Sequence, residues 1–107
     1  MRNTAMGVCM VVLACVSSTA LAETAWAKAH PRRAQVNERL IHQQHRITQQ
    51  VKEGELTHAQ ALELRHDDHA IRAEERALAA QQGGHITKAQ QRALNHQENQ
   101  VSRAIGK

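Results

Sequence analysis

Apolar residues recur at every seventh position along three stretches of the chain, as Leu40/Ile47, Leu64/Ile71/Leu78 and Leu94/Val101. Positions seven apart lie two turns along one side of an α-helix, so each set predicts one apolar stripe on an amphipathic helix. Start and stop signals around the stripes place these helices at Arg33–Lys52, Thr57–Gln82 and Thr87–Ile105. The predicted fold class is all-α, a small three-helix hairpin or bundle over residues 33–107, preceded by a flexible segment at 23–32. Between the apolar positions, the seams hold Gln44, Asp68, Glu75 and Glu98. Polar groups there cost stability unless they face arginines, lie at a wet edge or bind something.

The helices are tied to an internal repeat. Laying Asn37–His66 over Asp67–His96 without a gap matches Ile41/Ile71, Arg46/Arg76, Gly54/Gly84, Thr57/Thr87, Ala59/Ala89, Gln60/Gln90, Leu64/Leu94 and His66/His96. Eight identities in thirty positions point to a duplicated unit of helix, glycine corner and helix start. The corners read Gly54-Glu55-Leu56-Thr57-His58-Ala59-Gln60 and Gly84-His85-Ile86-Thr87-Lys88-Ala89-Gln90. In each, glycine supplies a left-handed stop. Thr57 with Gln60, and Thr87 with Gln90, form a capping box in which each side chain satisfies the other residue's backbone N–H.

Residues 1–22 interrupt this helical reading with a different pattern. Arg2 precedes an apolar run at Met6–Val16, and the segment closes on the small-x-small triplet Ala20-Leu21-Ala22. This is the layout of a secretory signal peptide, with cleavage expected after Ala22 and a periplasmic or secreted product. Two alternatives stand beside it: a lipoprotein anchored at Cys15 in Val12-Leu13-Ala14-Cys15, and cleavage after Ala25-Trp26-Ala27. Cleavage after Ala22 removes both cysteines and all three methionines, which rules out a disulfide and the usual soft Cu(I) site in the product. It leaves no stretch long and apolar enough for a transmembrane helix.

Fourteen Val, Leu and Ile and one Trp remain beyond residue 22, with no Phe or Tyr. So thin a core predicts marginal stability unless a homodimer or a ligand adds to it. The formal charge of +4 points towards anions, but acidic and basic residues are interspersed and the chain is exported. Nucleic acid is therefore not expected as a partner.

Eight histidines are the distinctive chemistry. His42-Gln43-Gln44-His45 and His66-Asp67-Asp68-His69 each place two imidazoles at i and i+3, on one side of a helix and away from the apolar stripe. His42, His45, His66 and His69 are thus candidate ligands for a divalent ion, Cu(II), Zn or Ni, with a solvated helix face as the plainer explanation. Cleavage after Ala27 would add a Cu(II) site, because Lys28-Ala29-His30 would then supply a free amine, two amides and an imidazole. The pairs Glu55/His58 and Glu63/His66 have the spacing used in di-iron bundles but lack the four-helix cage. No catalytic motif is present: there is no His-Glu-x-x-His, Gly-x-Ser-x-Gly, cysteine nucleophile or phosphate loop, so no enzyme is expected.

Three resemblances bear on function. Leu56-Thr57-x-x-Gln60 and Ile86-Thr87-x-x-Gln90 resemble the paired LTxxQ motifs of the Spy/CpxP family. That resemblance implies a small helical periplasmic protein of envelope and metal stress, and an ATP-independent chaperone for unfolded or envelope clients. The glycine corners also resemble the second half of an EF-hand loop. Counting Gly54 and Gly84 as position six puts Gln49 and Ala79 at one, Val51 and Gln81 at three, Glu53 and Gly83 at five, and Gln60 and Gln90 at twelve. The carboxylates calcium needs are missing, so this implies a degenerate scaffold without the ion. Finally, the run His30-Pro31-Arg32-Arg33-Ala34-Gln35-Val36-Asn37, with Gly83-Gly84-His85-Ile86-Thr87 and Leu94-Asn95-His96-Gln97-Glu98-Asn99, is similar to a family of small exported proteobacterial helical proteins. It implies export and a link to heavy-metal or other stress, and transfers no catalytic residue.

Overall fold

The structure is a computed structural model that describes residues 24–106. The expected leader at 1–22, with its alternative at Cys15, lies outside the described residues. Among the described residues four helices follow one another: α1 at Ala25–Ala29, α2 at Pro31–Lys52, α3 at His58–Ala80 and α4 at Lys88–Ile105. Among the described residues there is no strand, and the fold is all-α. Helices α2, α3 and α4 each pack against the other two, while α1 rests on α2. No described helix is long and apolar enough to cross a membrane.

The two long corners form as the sequence predicts. Thr57 and Thr87 are extended N-caps whose hydroxyls accept from the N–H of Gln60 and Gln90, and both glutamine side chains reach back to the threonine N–H. Two orphan donors are satisfied at each helix start. At the end of α2, Gly54 has φ 78 and lets the N–H of Glu55 reach back to the Gln50 carbonyl at 2.9 Å. That is the Schellman closure, which a side chain at Gly54 would strain.

Each long helix contributes two rows to the core. The apolar rows hold Leu40 and Ile47, Leu64 and Ile71, and Leu94 and Val101, all buried. The second rows are more polar. They run Val36, Gln43, Gln50 on α2, Ala61, Asp68, Glu75 on α3, and Glu98, Ile105 on α4. On α2, Gln43 and Gln50 are the buried seam residues, whereas Gln44, the expected one, is half-buried. The buried face steps by four and three residues from Val36, which selects position 43 over 44.

The N-terminal segment differs from the sequence expectation. Residues 24–32, expected to be flexible, hold the short helix α1 and the first turn of α2. Thr24 caps α1 by accepting from the Ala27 N–H, and Pro31 opens α2, where a missing N–H costs nothing. Five residues cannot sustain a helix alone, so tertiary contacts must hold it. They come from Trp26, which stacks on His30 at 4.8 Å between ring centroids and lies under the Arg33 guanidinium at 5.1 Å.

Candidate functional site

The four predicted ligands lie on the solvent side of the bundle. His42 and His45 are exposed on α2, and His66 and His69 are exposed on α3. Their pairing is fixed by the helix, since residues three apart are neighbours on its surface. Their surroundings differ in charge. His42 borders an open groove with Glu38 and Arg39, whereas His69 borders one with Arg72 and Arg76, which oppose a cation. The fold adds no further ligand: among the described residues, no group of three or more His, Cys, Asp or Glu is arranged to hold a metal.

A different pair of imidazoles is brought together by the fold itself. The start of α2 lies against the α3–α4 corner, held by Arg32 Nε donating to the Ile86 carbonyl at 2.7 Å and Arg33 Nη1 donating to the Gly84 carbonyl at 3.0 Å. This contact stacks His30 on His85, with ring centroids 4.7 Å apart and planes 22° from parallel. His30 Nδ1 lies 2.9 Å from the Trp26 carbonyl. A carbonyl only accepts, so the proton of a neutral His30 is on Nδ1 and Nε2 keeps its lone pair. Gly84 sits beside that nitrogen, and a Cβ there would come within 3.6 Å of it. Single helical spacings carry no trace of this pair. The trace lies in the repeat, where Gly83-Gly84-His85 replaces Glu53-Gly54-Glu55.

The polar rows meet in the bundle interior. Glu75, fully buried, pairs with Arg33 Nε. Asp68 accepts from Gln44 Nε2 at 2.9 Å, and Gln44 in turn accepts from Arg65 at 2.6 Å. Gln43 Nε2 donates to the backbone carbonyl of Glu98 at 2.7 Å. The Glu98 carboxyl makes no hydrogen bond, and Arg39 Nη1 stands 3.6 Å away. An ionised carboxylate so placed loses its hydration without adequate replacement. Burial therefore pushes Glu98 up to about 8, against the pull of Arg39, with Asp68 and Glu75 adding like-charge repulsion. Burial likewise raises Asp68 to about 6, partly offset by the Gln44 hydrogen bond. Of the four polar residues the sequence placed in the seam, Glu75 and Glu98 face arginines, Arg33 and Arg39, while Asp68 and Gln44 bond each other.

The chain matches no protein-family model, no curated protein and no solved structure.

Proposed function

We propose that the chain is an exported, non-enzymatic helical protein of envelope or metal stress, whose surface histidines ligate divalent Cu(II), Zn or Ni. Export rests on the leader pattern at 1–22. The observation that carries the metal reading is the exposure of His42, His45, His66 and His69 on helices whose opposite faces are buried. Rigid helices hold each pair in register, and no pair is engaged in packing the core. Two imidazoles leave the remaining coordination positions to water, which gives weak, exchangeable binding suited to buffering or sensing.

Calorimetric titration with Zn, Cu(II), Ni and Ca tests this. Replacing His66 and His69 together by Ala should weaken Cu(II) or Zn binding to their site at least tenfold, about 1.4 kcal/mol. Calcium should give no heat, because the corners lack its carboxylate ligands. Unchanged isotherms in the double variant would remove the assignment for this pair.

A second reading, a Spy/CpxP-like chaperone or protein-interaction module, draws on the large apolar side chains left in water. Leu62 is 71% and Ile41 54% exposed. Isolated exposed residues of this kind are common on monomers. On this reading, protection of an aggregating client survives the His66/His69 double substitution and falls in Ile41→Ser/Leu62→Ser.

A further inference from the structure

We infer that His66 and His69 form one half of a Zn site that a second copy of this chain completes, its own His66 and His69 supplying the other half across the outer face of α3. This deepens the metal-binding reading above, on which it rests, by naming the partner of one pair. Zinc held in a closed protein site is almost always four-coordinate and tetrahedral. A single copy offers only two imidazoles here, since among the described residues no group of three or more His, Cys, Asp or Glu is arranged to hold a metal. The site is incomplete without another chain.

The face around this pair suits a close neighbour. Helix α3 turns Leu62, His66, Ala70, Ala73, Ala77 and Ala80 to solvent, all exposed and at steps of three or four residues. Such steps draw one stripe along a helix. Apart from Leu62 and His66 the stripe is alanine, so a second helix can approach to an axial distance of roughly 8–10 Å, near enough for imidazoles from both to share an ion. His42 and His45 have no such face, because Glu38, Ile41, Gln49 and Lys52, all exposed, stand around them on α2.

The flanks of the α3 stripe carry opposite charge. Towards α4 stand Glu63, Asp67 and Glu74, which line the grooves on that side. Towards α2, on the side where Arg65 reaches Gln44, stand Arg72 and Arg76 beside His69. Two parallel copies of α3 about a two-fold axis set the acidic flank of each against the basic flank of the other, whereas an antiparallel pair sets like against like. The parallel pair brings both His66/His69 segments to one height. It also sets the second copy's carboxylates against the arginines that oppose a cation at His69 of a single copy.

The test follows the molar mass of the chain, purified as its cell processes it, by sedimentation during titration with Zn chloride, with calorimetry in parallel. His42→Ala and His45→Ala are present throughout, so that the α3 pair is the one followed. The chain should be a monomer with EDTA and become a dimer as Zn is added, saturating at one ion per two chains. Ala73→Gln with Ala77→Gln adds bulk to the stripe, replaces no ligand and keeps good helix formers. It should raise the Zn concentration at half-dimerisation at least tenfold, with the circular dichroism of the helices unchanged. His66→Ala with His69→Ala should leave a monomer at every Zn concentration. A Zn-bound monomer with one ion per chain overturns the shared site and leaves the metal-binding reading in place. A dimer that forms with EDTA, survives the loss of both histidines, or is unmoved by the two Gln substitutions also overturns it. If the unaltered chain gives no heat with Zn, Cu(II) or Ni, both readings fall.

Discussion

Glu53-Gly54-Glu55-Leu56-Thr57 at the α2–α3 corner and Gly83-Gly84-His85-Ile86-Thr87 at the α3–α4 corner occupy equivalent places in the repeat, yet they close differently. At the first, Gly54 is the left-handed stop and the N–H of Glu55 reaches back to Gln50. At the second, both glycines have positive φ, and it is the N–H of Gly84 that reaches back to Ala79, at 2.8 Å. The helix therefore stops one residue earlier in the repeat. Gly83 takes over the stop, which frees Gly84 to face His30. The neighbours follow suit: Leu56 is half-buried at an open corner, whereas its counterpart Ile86 is buried under the start of α2. The lesson is that two helix starts with the same capping box can differ in role: one stands open, and the other is the docking point for the N-terminal segment.

The largest effect that should separate the corners comes from Arg33→Ala. It removes the partner of buried Glu75 and the donor to the Gly84 carbonyl together. A loss of about 3 kcal/mol is expected in urea unfolding, because a buried carboxyl is left without compensation. A loss no larger than that of an exposed substitution such as Arg92→Ala would mean that the second corner is not clamped from α2. Next come the paired apolar truncations. Ile86→Ala should cost about 3 kcal/mol and Leu56→Ala about 1 kcal/mol, in proportion to burial. Equal costs in thermal melts would erase the difference between the corners.

Glu98 lies in the interior of the bundle and sharpens the comparison by acting on neither corner. Its carboxyl is raised from 4.5 to about 8 in the folded chain, so the folded state holds a proton that the unfolded state has released between those values. Stability must then fall as pH rises from about 4.5 to about 8, and Asp68, raised from 3.8 to about 6, adds to the same slope at its lower end. Glu98→Gln should flatten that slope and raise stability at pH 8, without changing the Ile86-to-Leu56 difference. Urea midpoints measured at pH 5 and pH 8 check it, and an unchanged slope would contradict the buried, protonated carboxyl. The smallest effects belong to the shared feature. Thr57→Ala and Thr87→Ala should each cost about 1 kcal/mol, equal within error, since the two capping boxes have the same bonds.

What could be read from the sequence was what local physics decides. The capping boxes at Thr57/Gln60 and Thr87/Gln90 and the apolar rows follow from residues within a turn or two of one another. The cost of polar residues in the seam also pointed to arginine partners, but not to Arg33 and Arg39 as the ones that face Glu75 and Glu98. The choice of Gln43 over Gln44 lay below the resolution of a stripe defined by two residues. Helix α1 was illegible for a plainer reason. Ala25–Ala29 has no helical periodicity to detect, and its order depends on Trp26 meeting His30 and Arg33. The His30–His85 stack depends in turn on how the start of α2 meets a corner far along the chain, which no single window of sequence contains.

The most direct test of the account is a Zn titration of isotope-labelled protein in which the imidazole resonances of all eight histidines are followed by NMR. The account predicts saturable shifts at His42/His45 and His66/His69, with the stacked His30 and His85 and the backbone around Gly54 unmoved. No saturable shift at either surface pair, or even and unsaturable shifts across all eight, would contradict it.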